Sequence, residues 1–433
     1  MVLFNLYKGQ KWAERASAAK SYTGTMSKLR PFVLLQASAV SSTIAGSATF
    51  IAIPWLSLEV TGSSLMSAVV IAASAIPGLL LTTFVGGLVD RFGRRRMAYW
   101  IEVLTAVSTA LVPIVAMTVG MSLPALIALV VLKAIFQPGG GSARKSLLPD
   151  TADHAGMSLD RANSINEALS SAGFAIGPAL AATLIAAFDS YAAFWLAAAA
   201  SLASAVLALM IRVHEKQEPL EGDPESSHPI RYAMQGFVTL VKLPALLVVF
   251  AAFMILSVIY MPTEMVVLPR YYNSIGEPQQ MGYLITAMSV FTVLGALLFE
   301  KAHKLVGYAN LVRIASVVIG LCMIPMSMLP DYWVMLVLGA ILGFVWGPMM
   351  PLLNTLIQTM VPANVRGRVF AIEQVMWNTA PLTSFIVTGI AIDAFGVQPV
   401  YVVLGILVLT ASVVLAFAPQ LRSLRDQYDR RAN

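Results

Sequence analysis

Residues 86–96 read GGLVDRFGRRR and lie between two long apolar runs, Ser63–Val89 and Met97–Met121. Gly86 and Gly93 permit a tight turn and a close approach of the backbone. Asp90 is an anion of the kind a helix N-terminus attracts, and Arg91 with Arg94, Arg95 and Arg96 suits a layer of lipid headgroups. Basic residues alone would serve a plain loop between membrane helices, but they would not call for glycine and aspartate at this spacing. Each flanking run exceeds the ~20 apolar residues that cross a hydrocarbon core. The stretch therefore reads as the hairpin between two transmembrane helices.

Working outward, ten further apolar runs follow: Phe32–Leu58, Leu123–Ala143, Ala162–Phe188, Tyr191–Ile211, Leu243–Leu268, Met281–Phe299, Ile314–Leu329, Tyr332–Met360, Val369–Ala394 and Val400–Ala418. Twelve spans leave loops of about a dozen residues on average, too short for a separate catalytic domain. The 433 residues are 58% apolar and 12% charged, with mean hydropathy +0.78. A soluble chain averages about 25% charged, so a soluble enzyme is excluded. The one cysteine, Cys322, lies in an apolar run, and His154, His214, His228 and His303 lack metal-ligand spacing. No disulfide, metal or other cofactor is expected. There is no Gly-rich P-loop with Lys-Ser/Thr, so ATP is not the direct driver.

Orientation follows from the basic residues, which resist translocation. With both termini on one side, that side receives 26 of the 28 Lys and Arg; the other receives only Arg270, and Lys133 falls inside a span. Both termini are therefore expected in the cytoplasm. This bias also accounts for the pI of 9.4, and no nucleic-acid binding is expected. Residues 1–30 lack an apolar signal core with a cleavage site and read as a retained cytoplasmic tail, although a basic, acid-poor start also fits a transit peptide. The longest polar segment, 213–242, divides a first six-helix bundle (31–212) from a second (243–419), with a tail at 420–433. A weak repeat sets Arg161–Pro178 against Gly367–Ser384 and brings Glu167 onto Glu373. Two six-helix halves are a transporter plan with the substrate site near the midplane.

The pattern G-x-L-x-D-R-x-G-R-R resembles the signature loop of the major facilitator superfamily at every defined position. TGSSLMSA (61–68), PGGGSARKSLLPD (138–150), RANSINEA (161–168) and VPANVRGRVFAI (361–372) look like the branch containing siderophore exporters and macrolide efflux proteins. The resemblance implies that Asp90 caps the facing eleventh helix and braces an inward-closed state, with Gly86, Arg91, Gly93 and Arg94 completing the motif. The matching junction of the second half keeps Gly307 but has Lys304 where the aspartate would stand. GFAIGP, with Gly173, Gly177 and Pro178, is similar to the antiporter motif of exporters in this superfamily, with Ala181 and Ala182 in place of the glycine pair that usually follows. Its residue chemistry also fits ordinary close packing of membrane helices.

A charge at the bilayer centre costs about 2.5 to 3.5 kcal/mol on the insertion scale. Lys133 lies ten residues beyond Leu123, ~15 Å along the helix and so at the midplane, and is the leading substrate-site candidate. Glu102, Glu167 and Glu373 lie ~6 to 9 Å inside the cytoplasmic ends of their spans. Each is a candidate for proton coupling or a wetted carboxylate at a helix start, with Glu167 the expected partner of Lys133. Glu264, beside Pro262 in the outer third of its span, is a further proton candidate. Gln36, Asn163, Asn166, Trp346, Asn354, Gln358, Gln374, Trp377 and Asn378 are expected to line the cavity because uncharged amides are unfavourable in lipid. Met349 and Met350 offer an adaptable apolar wall.

The sequence thus predicts an all-α, twelve-helix transporter of a bacterial inner membrane, monomeric, moving a small molecule across the lipid bilayer by alternating access. Export of a neutral or anionic compound such as a siderophore or drug, by antiport with protons, is the reading favoured. An importer or lysophospholipid flippase on the same scaffold, and a non-transporting receptor or scaffold, are the alternatives.

Overall fold

The computed structural model describes residues 2–75, 77, 93–213, 240–361 and 363–418; side chains 2–27 and those of some positions inside later helices lie outside that description. All regular elements among the described residues are helical. The first half comprises α1 (Val2–Thr61), α2 (Ser64–Ala75), α3 (Arg94–Thr118), α4 (Leu123–His154), α5 (Leu159–Ala187) and α6 (Ser190–Met210). The second opens with α7 (Pro244–Pro262), a π-helical turn (Thr263–Val267) and α8 (Leu268–Ser274), which together make one crossing. It continues with α9 (Pro278–Leu297), α10 (Phe299–Ser327), α11 (Tyr332–Trp346), α12 (Met349–Met360), α13 (Ala363–Phe395) and α14 (Val397–Ala416). Among the described residues nine helices are long and apolar enough to cross a membrane, and shorter apolar stretches at Ser64–Ala75, Leu123–Phe136 and Thr379–Phe395 bring the number to the twelve expected. The chain is a multi-pass membrane protein.

One end of the bundle carries Arg94–Arg96, Lys145 and Arg161 and is called the basic face; the end carrying the 62–63 turn is the far face. Large apolar side chains point outward along the wall, including Leu202 and Val206 on α6 and Val403 and Val414 on α14. Such a belt fits acyl chains as its solvent. Small residues set the interior spacing. On α11 and just beyond it, Gly343 and Gly347 press the backbone of α9: a Cβ on Gly343 would meet Met288 O at 2.2 Å, and one on Gly347 would meet Thr292 O at 2.1 Å. The two halves meet where α5 crosses α9. There a Cβ on Gly282 would fall 2.1 Å from Ala182 Cβ and 2.7 Å from Pro178 O.

The first helix begins at Val2, within the expected tail, and not at Phe32, and three further differences from the sequence reading bear on the site. The fourth span was expected to end at Ala143, but α4 runs on to His154, so Arg144 is a buried helix residue and not a loop charge. The seventh was expected to end at Leu268; the chain continues helically through the π turn to Ser274, which sets Glu264 ten residues from the helix end. The ninth begins within α10, whose helix breaks at Gly307 (φ 77°, ψ 160°). Gly93 (φ 87°) precedes α3 with the same left-handed turn, so the two halves share this bend even though Lys304 replaces the aspartate. Lys304 instead pairs with Glu300 on the exposed segment before the break.

Candidate functional site

The site begins with helical phase. Lys133 and Arg144 are eleven residues apart on α4, about three turns, so both side chains lie on one face. Glu102, Thr105 and Thr109 form the matching face of α3, and a cavity of about 330 Å³ opens between them and α1. Lys133 is buried and its Nζ donates to Thr49 Oγ1 at 2.7 Å. Arg144, also buried, forms an ion pair with Glu102 through Nη1 and donates from Nη2 to Ser42 Oγ at 2.7 Å. Ser42 Oγ in turn donates to Glu102 Oε1 at 2.7 Å, and Arg144 Nη1 also reaches Ser204 Oγ at 3.4 Å. Glu102 Oε2 is buried without a protein hydrogen bond. The glycine run before Arg144 has a physical reason: a Cβ on Gly140 would stand 2.8 Å from Glu102 Oε1.

A second cavity, about 290 Å³, lies between the halves. Phe50 and Phe174 line both cavities and meet edge-on with centroids 6.0 Å apart, so this aromatic pair divides one chamber into two lobes. The second lobe is walled by Tyr260, Met261 and Glu264 at the α7 end, Met288 and Thr292 of α9, and Trp346 of α11. Tyr260 donates its hydroxyl to Glu264 Oε1. Trp346 stacks on Tyr260 (6.0 Å, 25°) and packs near Phe253 and Trp377. The π turn after Pro262 aims Glu264 into this lobe, and such bulges recur at functional sites.

The expected residues are distributed as follows. Lys133 and Glu102 share the first lobe; Trp346 and Glu264 share the second. Glu167 is exposed on α5, and Lys133 donates instead to the Thr49 hydroxyl, so the pairing expected between Lys133 and Glu167 is not formed. The error came from taking sequence adjacency of spans for contact, whereas α3 and α1 face α4. Gln36 is buried with neither amide atom hydrogen bonded, and Asn354 is exposed; neither lines a lobe. Asn166 and Glu373 are half-buried and Asn163 is exposed. Trp377 is half-buried against Trp346. Met349 is buried in the apolar core, and the methionines that wall the chamber are Met261 and Met288. Gln358, Gln374 and Asn378 have side chains outside the described set, and Gly86, Asp90 and Arg91 lie outside the described residues altogether. Arg94 is described: its Nη1 donates to Asp150 Oδ2 and Ser146 O, both at 3.1 Å, tying the start of α3 to α4. Gly173 and Gly177 press against α1, where a Cβ on Gly177 would overlap Ser47 Oγ at 1.9 Å.

Sequence reasoning missed the far-face clasp. Asp393, near the end of α13, accepts from Ser63 Oγ at 2.6 Å and from the backbone N–H groups of Ser64 and Leu65 at 2.8 and 3.0 Å. It therefore caps the N-terminus of α2 from the other half, the position at which a carboxylate is most favoured. Arg270 Nη1 adds a bond to Gly62 O at 3.0 Å. The signal available was a lone aspartate ending an apolar run, facing the serines of TGSS.

These features have counterparts among known proteins. The chain is 31% identical over 407 residues to the "Multidrug efflux pump Tap" of Mycolicibacterium fortuitum, covering 92% of this chain and 98% of that one. It is 30% identical over 387 residues to the protein of the same name from Mycobacterium tuberculosis, covering 87% and 90%. The crystal structure of the nucleoside transporter NupG superposes with a TM-score of 0.70 over 90% of this chain and 98% of that one at 13% identity, a likeness of fold alone. The sequence profile of the Major Facilitator Superfamily matches residues 37–372 and 264–430. With twelve crossings, two halves and a chamber between α1, α4, α5, α7, α9 and α11, the chain belongs to the Major Facilitator Superfamily and is a transporter, not an enzyme.

Proposed function

We propose that the protein exports drug-like small molecules across the bacterial inner membrane by proton-coupled antiport, with the basic face in the cytoplasm. The observation that carries this reading is the two-lobed chamber, which places an ionisable group of each half on opposite sides of Phe50 and Phe174. A ligand spanning the pair would touch both halves, and differential contact in two arrangements is what biases a conformational equilibrium. The multidrug relatives, each matched over nearly its whole length, support export of drugs.

Glu264 is the coupling carboxylate in this scheme. Among the described side chains that line its lobe it is the one carboxylate, and the rest of that described wall is apolar, aromatic or hydroxyl-bearing. Enclosing a charge in such a wall is costly, and a proton removes that cost. The clasp at Asp393 supports a state closed on the far side, in which cargo enters from the cytoplasm. Opening of the far face then exposes Glu264 to the outer proton pool, and a proton taken there releases the cargo.

The test is flux in proteoliposomes of defined orientation, with the fluorescent dye Hoechst 33342 as cargo. Under a gradient acidic on the far side, dye should move from the basic face to the far face, and Glu264→Gln should abolish the response to the gradient. Movement in the opposite direction would identify an importer, and absence of flux with drugs, dyes and lysophospholipids alike would reject transport.

A further inference from the structure

We infer that the chamber selects molecules bearing separated opposite charges, with an amine or other organic cation seated on Glu264 and an acidic group turned toward Lys133. The inference rests on the transport reading and names the chemistry of its cargo. It starts from the division of charge. The first lobe carries Lys133 and Arg144 against Glu102, two cations to one anion, so its field favours a negative group. The second carries Glu264 among aromatic faces and favours a positive one. The stacked Tyr260 and Trp346 rings add attraction for a cation lying over the indole.

The aromatic pair keeps these charges from cancelling each other. Phe50 and Phe174 stand between the lobes, so an ion pair between Glu264 and the cations of α4 is interrupted by apolar rings. A cargo that is only cationic leaves the first lobe desolvated and unmatched, and one that is only anionic does the same to Glu264. Each lobe alone is near the lower bound of ~300 Å³ for small-molecule sites, whereas the two together suit a drug-sized ligand. A rigid, flat frame would lie across the phenyl pair with one charge on each side. The expectation of a neutral or anionic cargo took account of Lys133 alone; the π turn that lowers Glu264 into the chamber adds the second half of the recognition.

Binding to the purified full-length protein in detergent, read by fluorescence anisotropy at pH 7.5, tests this without requiring transport. Three probes share a xanthene frame: a rhodamine with a free carboxylate, which is zwitterionic; its methyl ester, which is cationic; and fluorescein, which is anionic. The zwitterion should bind at least tenfold more tightly than either of the others. Glu264→Gln should weaken the rhodamine and its ester at least tenfold and should not weaken fluorescein, whose binding no longer strands a carboxylate. Lys133→Met should weaken the rhodamine and fluorescein and spare the ester, and Lys133→Arg should restore them. Equal affinity for the three probes, binding of none, or substitutions that affect all three alike would overturn the inference. Zwitterion-selective binding without proton-driven flux would instead count against the transport reading and leave the selectivity standing.

Discussion

Replacing Asp393 by alanine should open the far face. The side chain accepts three hydrogen bonds from the start of α2, at 2.6, 2.8 and 3.0 Å, and belongs to the opposite half. Hydrogen bonds to a buried charge are worth ~1.5 to 3 kcal/mol each, but Asp393 is exposed, so solvent competes for every one of them. Loss of a helix N-cap, typically ~1 kcal/mol, is the better guide. About 1 kcal/mol corresponds to a roughly fivefold change in the ratio of two states. The assay is a distance distribution between spin labels at Val119→Cys and Ile275→Cys, both exposed on the far face and one in each half, in a Cys322→Ser background. The long-distance population should rise about fivefold in Asp393→Ala, and less in Asp393→Asn, which keeps one acceptor oxygen. Asp331→Ala, whose side chain makes no capping bond, serves as the control. An unchanged distribution in Asp393→Ala would refute the clasp as a determinant of the closed state.

Other outcomes follow from the same geometry. Arg144→Met strands Glu102 in the protein interior and should cost ~3 to 5 kcal/mol, read as a lower melting temperature in detergent; the double change with Glu102→Gln should recover most of it. Gly177→Leu must displace Ser47 and the α1 backbone and should lower thermal stability by an amount corresponding to ~1 to 3 kcal/mol, with Gly177→Ala intermediate. Lys133→Met should reduce export of acidic cargo at least tenfold in everted vesicles while a cationic dye is spared; equal loss of both would assign the lysine a structural role. Asp90→Asn should lower the transport rate at unchanged expression, and wild-type flux in that variant would reject the bracing role.

The crossings were legible because a bilayer imposes a length on every apolar run, and Lys133 stood out because its position in such a run is expensive. Arg144 was not legible. Its segment, GGGSARKS, carries the glycines and charges of a loop, and only the approach of Glu102, Ser42 and Ser204 makes burial affordable there. The extension of the seventh crossing past Leu268 was not legible for a related reason: the apolar run stops there, while the observed chain passes Pro262 through a π turn and continues to Ser274. The hydroxyl to which Lys133 donates also escaped the sequence, since Thr49 lies on a different helix 84 residues away and resembles any other hydroxyl in an apolar run. The glycine pair in α5 conveyed close packing, but not that α1 would be its partner.

The crossing at Gly282 has a mechanical consequence. Ala182 and the Pro178 carbonyl fill the notch that the bare glycine backbone leaves, so the spacing of the two halves here is set by the absence of a single side chain. In the proposed export cycle this seam is the place about which the bundles would turn, because their backbones come close together there. A bulky residue installed there would act as a shim, forcing the two helices apart, and in the proposed cycle it would hold the bundles in a single phase.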